Sequence, residues 1–192
     1  VWEGTQSLVA PKKLAALPRF GDVSQALASN EWPVFVRATG GDVTPQGPGI
    51  LNVTHVYTWE SGGAFDIAAA YHRLCGPIEA ALGRGAAHGW QPGAFCDGAY
   101  NVQWNGRKFA GTAMRFRPCR DDKSSHTVLA HALMLIEPPQ PAAIAALNRF
   151  LTGLDQDRTI LENTHTGLPT GQTVDDFIMR LVQAFEDQES AD

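Results

Sequence analysis

The dipeptide Asn105-Gly106 lies between two strand-like runs, Ala99-Tyr-Asn-Val-Gln-Trp104 and Arg107-Lys-Phe-Ala-Gly-Thr-Ala-Met-Arg-Phe-Arg117, and constrains the fold more than any other stretch. Asn and Gly both tolerate the positive φ angles of a type I′ turn, so the two runs are expected to pair as an antiparallel hairpin. A polar loop, Pro118 to Ser125, leads into the apolar strand Thr127 to Ile136, and Pro138-Pro-Gln-Pro141 stops it.

Upstream, Val1 to Asn30 is an opening segment that reaches a helix near Val23 to Ser29. Pro33-Val-Phe-Val36 is β-branched and aromatic, a buried strand that delivers Arg37 to its end, and Ile50 to Tyr57 reads as the returning strand of a hairpin-like unit. After a Ser61-Gly-Gly63 turn, Ala64 to Cys75 is helical by propensity, with Pro77 opening a continuation through Leu82. Gly83 to Gly93 is turn-rich. Ile144, Leu147, Leu151 and Leu154 share one face of a helix ending near Gly153. Thr173 and Asp176 form a capping pattern ahead of the amphipathic series Val174, Phe177, Ile178, Leu181, Val182 and Phe185, and the acidic Glu186 to Asp192 is expected to fray. The fold class is α+β: a mixed, mostly antiparallel sheet with helices packed on it.

With 192 residues, 44% of them hydrophobic, residues 1–192 are expected to form one domain. A net charge of −5 argues against nucleic acid as a partner. Cys75, Cys96 and Cys119 are an odd set without metal-ligand spacing, which argues against a disulfide framework or a metal site and for a reducing compartment. No apolar run reaches membrane-spanning length and the N-terminus lacks the form of a secretory signal, so a soluble cytoplasmic protein without membrane association is expected.

Three stretches could carry chemistry. Arg37-Ala-Thr39-Gly40-Gly41-Asp42-Val43, closed by Gly49-Ile-Leu-Asn52, lets backbone N–H groups approach a ligand, with Arg37 suited to an anionic or carbonyl-bearing group; a plain turn is the other reading. Cys96, in Pro92-Gly-Ala-Phe-Cys-Asp-Gly98, is placed like a nucleophile, with Lys108 across the hairpin as the source of an activating field; a buried inert thiol is the alternative. Arg107, Lys108, Arg115, Arg117, Arg120 and Lys123 bring six of the fifteen Lys and Arg into one stretch, either a patch for an acidic or phosphate-bearing partner or a solvated face. Cys119 is a rival nucleophile in a charged loop, while His131 and His55 are each open to a core or a site role.

These stretches together resemble the lipoate-protein ligase and octanoyltransferase family of the biotin and lipoate A/B protein ligase superfamily. The family loop appears as Arg37, Thr39-Gly40-Gly41 and Gly49, and the family lysine as Gly106-Arg107-Lys108-Phe109-Ala110-Gly111-Thr112-Ala113. Phe95-Cys96-Asp97-Gly98-Ala99-Tyr100 is similar to the segment that carries the acyl nucleophile in the cysteine-dependent octanoyl (lipoyl) transferase branch. The resemblance runs from about Trp32 to Leu168, with Asp42, Gln46 and Met114 departing from the pattern.

It implies a biotin/lipoate ligase-like catalytic domain without an accessory C-terminal domain, and Cys96 and Lys108 as catalytic residues. It further implies a substrate site built from Arg37, Thr39, Gly40, Gly41, Gly49, Asn52, Tyr100, Gly111, Thr112, Ala113 and His131, and no metal ligand in the chain. The implied reaction moves an octanoyl or lipoyl group through a Cys96 thioester to a lysine of an acceptor, with Gly40 and Gly41 N–H groups beside the acyl carbonyl. The implied partners are acyl carrier protein, a lipoyl domain or a glycine cleavage H-type acceptor, with no cofactor. The alternatives are a lipoate-protein ligase using ATP and Mg through lipoyl-AMP, and a non-catalytic acyl-binding homologue.

Overall fold

The computed structural model describes residues 1–60, 65–122 and 124–191. In chain order the elements are β1 (Trp2–Glu3), β2 (Ser7–Pro11), α1 (Lys12–Ala15), α2 (Phe20–Ala28), β3 (Val34–Arg37), β4 (Thr44–Gln46), β5 (Ile50–Glu60), α3 (Ile67–Leu82) and β6 (Ala86–Gly89). There follow β7 (Asn101–Trp104), β8 (Arg107–Pro118), β9 (Ser125–Leu135), α4 (Pro141–Gly153) and α5 (Val174–Ala191). The turn expected at Ser61-Gly-Gly63, the expected helix start at Ala64, and Lys123 lie outside the described residues.

Two sheets result. The larger is antiparallel throughout, in the order β1-β5-β9-β8-β7-β6, and the smaller has the order β3-β2-β4 with β2 and β3 parallel. This is the α+β class expected, with the parallel pair making it mixed. The Asn105-Gly106 hairpin forms as read, both residues taking positive φ (49° and 71°). Strand period sorts the larger sheet's residues between its faces. Ala132 and Met134 pack with Leu74, Ile78, Phe177 and Leu181 on the side of α3 and α5, while Leu133 and Leu135 meet α4, Leu8 and Phe95 on the other. Full burial of Phe177 and Leu181 pins α5, each contributing about 1.5–3 kcal/mol.

The expected hairpin of the strands flanking Arg37 is corrected. β3 runs parallel to β2, reached through α1 and α2, whereas β5 pairs with β1 and β9 in the other sheet. Between them Thr44-Pro45-Gln46 forms an edge strand, where a proline costs no ladder hydrogen bond. The glycine loop therefore joins two strands of the smaller sheet, and the turn from Gly47 to Gly49 carries the chain on to the larger one.

The chain from Ile67 to Leu82 is one helix with Pro77 inside it, not two pieces. Pro77 has no N–H for the carbonyl of Arg73, and the Gln188 Nε2 amide donates to that oxygen at 3.0 Å. Gln188 belongs to the tail expected to fray. Instead α5 continues to Ala191, tied down by Gln188 and by Glu189 on His55 Nε2 (3.0 Å). His55 thus has a packing role, between Tyr57 and Phe185. β6 falls in the stretch read only as turns; its four residues are too short to show a period. Among the described residues no helix is long and apolar enough to cross a membrane.

Candidate active site

Cys96 sits on the turn between β6 and β7 with φ of 47°, a left-handed conformation that costs a non-glycine residue roughly 1–2 kcal/mol. Its neighbour Asp97 holds the turn in that shape: Asp97 Oδ1 accepts from the Gln91 N–H (2.6 Å), the Gly98 N–H (2.8 Å) and Asn101 Nδ2 (3.0 Å). The thiol is 8% exposed, and its Sγ accepts the N–H of Asp42 at 3.1 Å.

Lys108 enters from below. It is fully buried on β8, and its Nζ donates to the carbonyl oxygens of Phe95 (2.5 Å) and Cys96 (3.0 Å) while lying 4.6 Å from the Phe95 ring centre. Burial lowers its pKa to about 8, an effect that the nearby Cys96 and Asp97 oppose. The ammonium is a clasp under the nucleophile's turn rather than a group standing open in a cavity. Gly111 makes room for it, since a Cβ there would sit 3.1 Å from Nζ.

The glycine loop closes the site from the other sheet. Arg37, expected as a free cation at its mouth, is turned inward: its guanidinium donates to the carbonyl oxygens of Val9 (2.8 Å), Gly40 (3.0 Å) and Asp42 (2.5 Å). It braces the loop, and burial lowers its pKa against the opposing influence of Cys96. Gly41 takes φ of 91°, and a Cβ on it would approach Cys96 Sγ to 2.9 Å, so only glycine allows the loop this close. Thr39 Oγ1 reaches His131 Nε2 at 3.3 Å, and burial, then Arg37, lowers the pKa of that histidine.

Between the sheets is a cavity with two lobes, both lined by Cys96, Thr112 and Ala113. One, of about 300 Å³, runs between the sheets past Val9, Phe35, His131 and Leu133 to the amide pair of Gln46 and Asn52, which satisfy each other at 3.0 and 2.9 Å. The other, of about 180 Å³, is bounded by Gly40, Gly41, Met114 and the stacked rings of Tyr71 and Tyr100, whose centres are 4.2 Å apart.

Of the residues expected at the site, Arg37, Gly40, Gly41, Asn52, Tyr100, Gly111, Thr112, Ala113 and His131 line one lobe or the other, with Thr39 bonded to His131. Gly49 is not brought there: with φ of 77° it turns the chain into β5, and its carbonyl accepts from Ile136 N–H. Thr112 spends its hydroxyl on the Tyr100 carbonyl (2.7 Å). The other two thiols line neither lobe. Cys119 is beside Thr127 at the far end of the sheet, and burial pushes the Cys75 thiol up to about 12. The basic stretch is not one patch either: Lys108 is buried and Arg107 is at the turn end of β8, roughly 30 Å from Arg117 at 3.3 Å per residue.

His165 was invisible in the sequence, lying in the aperiodic segment after α4. It is 2% exposed, accepts the Phe95 N–H on Nε2 (3.2 Å) and stacks on the Phe95 ring. Burial, then the charge of Lys108, lowers its pKa to about 4. The same segment donates Leu161 N–H to the Gly93 carbonyl (2.8 Å) and Thr166 N–H to the Lys108 carbonyl (2.9 Å). It straps the nucleophile's turn in place.

The relatives of this chain define its class, enzymes of acyl transfer or ligation. The chain belongs to the family described as the lipoyl protein ligase A/B catalytic domain, which matches residues 22–186. It is 35% identical over 193 residues to an uncharacterised protein of Cupriavidus necator, covering 92% of this chain and 76% of that one. It is 32% identical over 190 residues to an octanoyl-[GcvH]:protein N-octanoyltransferase of Kyrpidia tusciae, covering 91% of this chain and 63% of that one. Among solved structures, lipoate-protein ligase A bound with ATP superposes with a TM-score of 0.70 at 14% identity, covering 97% of this chain and 70% of that one. A putative lipoate protein ligase of T. acidophilum with bound lipoic acid gives 0.66 at 16% identity, covering 98% and 70%. The structural likenesses establish the shared fold.

Proposed function

We propose that this protein is an octanoyl or lipoyl transferase that carries the acyl group on Cys96. The observation that carries the reading is the position of Cys96 Sγ, at the junction of both lobes and within hydrogen-bonding distance of a backbone N–H. The thiolate attacks the donor's acyl carbonyl, the bond to the donor's sulfur or amine breaks, and the leaving group takes a proton. A lysine amine of the acceptor then attacks the thioester, loses a proton, and returns Cys96 as the thiolate. The charge of Lys108 favours the anionic sulfur, and Gly40 and Gly41, which line the lobe beside Cys96, would supply N–H donors to the developing oxyanion.

The larger lobe has room for roughly ten groups the size of a water molecule. That accommodates the eight carbons of an octanoyl chain. No cofactor enters this scheme. Asp42 stands where ligases of the family carry a third glycine, and its side chain, held by Arg158, adds bulk beside the backbone that would have to approach a triphosphate, which favours transfer over ATP-dependent ligation. The similarity to a protein named octanoyl-[GcvH]:protein N-octanoyltransferase, a name that gives octanoylated GcvH as donor and a protein as acceptor, supports an H-type protein as acyl donor and a lipoyl-domain protein as acceptor.

Arg115 and Arg117 point from the uncovered part of the cavity face of the sheet, in register with Leu129 and Thr127 on β9, which pair in turn with Val56 and Thr58. This mixed basic and apolar surface is proposed as the acceptor's dock. The test is intact mass after incubation with octanoylated carrier or H-type protein. A gain of one octanoyl group that persists in Cys119→Ser and vanishes in Cys96→Ser supports transfer. No gain without ATP, with lipoyl-AMP formed when it is added, overturns it.

A further inference from the structure

Asp42 departs from the family loop, and the structure gives it a dedicated partner. Its carboxylate forms an ion pair with Arg158 Nη2, while its Oδ1 accepts the Val43 N–H (2.7 Å) and its own N–H reaches Cys96 Sγ. Arg158 stands on a fixed part of the strap behind α4. Two residues on, Ile160 is clamped by Asn148, which accepts its N–H (2.8 Å) and donates to its carbonyl (3.0 Å). Arg158 lines neither lobe beside Cys96. It lines a separate open hollow with Lys13, Leu17 and Asp42.

We propose that Arg158 is a positioning residue that latches the glycine loop onto Cys96 and cancels the field of the Asp42 carboxylate at the sulfur. Arg37 holds the Gly40 and Asp42 carbonyls from one side of the loop, and Arg158 holds the Asp42 side chain from the other. Without Arg158 the Asp42 carboxylate would stand without its ion-pair partner next to the group that must become a thiolate, and the loop would be free to swing its N–H off the sulfur. The other charged or titratable groups around Cys96 are Arg37 from β3, Lys108 from β8, Tyr71 from α3, its neighbour Asp97, and His131 of β9 and Tyr100, which each line a lobe with it. All of them are retained in the variants below. The inference rests on the reading of Cys96 as the nucleophile, and it predicts a second-site rescue that a general loss of fold would not give.

The test is alkylation of Cys96 by iodoacetamide against pH, read by peptide mass spectrometry, with the half-buried Cys119 as the internal reference and buried Cys75 as the reporter of unfolding. Arg158→Ala should move the Cys96 midpoint upward by about one pH unit and slow its reaction near neutral pH about tenfold. Arg158→Ala combined with Asp42→Asn, and Asp42→Asn alone, should react within about threefold of the parent. An unshifted Arg158→Ala profile, or a double variant as slow as Arg158→Ala, overturns the proposal. Should Arg158→Ala expose Cys75, Arg158→Lys against Arg158→Gln decides it: only the lysine variant keeps the parent profile if the latch is correct, and equal profiles refute it. Iodoacetamide needs no acyl site, so a rescue seen in a protein that takes no octanoyl group from any donor refutes the transferase and leaves the latch standing.

Discussion

Acidification should weaken this protein through His165, a base kept neutral at the heart of the site. Its Nε2 already accepts the Phe95 N–H, so a proton added there removes the acceptor and places a second cation near buried Lys108. Its folded pKa of about 4 lies below the ordinary 6.5, which means that the unfolded chain binds the proton more tightly. The stability is therefore intact above about pH 6.5 and is lost as pH falls toward 4. That span corresponds to about 3 kcal/mol in full, and to about 2.5 kcal/mol between pH ~7 and pH ~4.5. At 2% exposure little of this is screened by solvent.

The assay is urea unfolding at both pH values for the parent and for His165→Gln, whose amide oxygen can still accept from Phe95 N–H but does not titrate. Carboxylates and the remaining histidines titrate in both proteins and cancel in the comparison. The variant should be less stable near neutral pH by about 1 kcal/mol, from loss of the stacked ring, yet should lose about 2.5 kcal/mol less on acidification. If both proteins weaken equally, within about 0.5 kcal/mol, the account of His165 as a buried neutral acceptor is wrong.

Gly111→Ala sets a methyl group 3.1 Å from Lys108 Nζ, so the lysine must give by a few tenths of an ångström and its bonds to the Phe95 and Cys96 carbonyls are strained. A loss of about 1–3 kcal/mol in thermal unfolding is expected, together with slower acylation of Cys96. Arg115→Ala with Arg117→Ala should raise the KM for the acceptor protein and flatten its salt dependence, measured by titrating acceptor at low and high ionic strength, while the first-step adduct on Cys96 forms at the parent rate. Unchanged KM and salt dependence would remove this face from the docking scheme.

How much of this was legible in the sequence depended on whether a feature is local. The Asn105-Gly106 turn, the amphipathic repeat of α5 and the cap at Thr173, whose Oγ1 accepts the Asp176 N–H at 3.1 Å, are local chemistry and appear where they were read. The partner of β3 was not local: Val34 to Arg37 pairs with a five-residue strand, ending in Pro11, that is too short to show a period. The site followed the same division. Cys96, Lys108 and the glycine loop could be singled out because each stands in a recognisable neighbourhood. The inward turn of Arg37 and the contributions of Arg158 and His165 depend on contacts between residues far apart in the chain, and the stretch from Asp155 to Thr166 has no regular pattern that could announce them.

The larger lobe is walled by two sheets that share no ladder hydrogen bond. Its walls can part or close without breaking backbone pairing, so chain-length preference can be set by how far a seam opens as well as by the side chain at its end. An acyl tail lying there would touch Val9 and Phe35 on one wall and Ala113 and Leu133 on the other, joining the two sheets by burial alone. The substrate would then act as a transient piece of hydrophobic core, and the acylated protein would be harder to unfold than the free one by an amount that grows with each methylene buried.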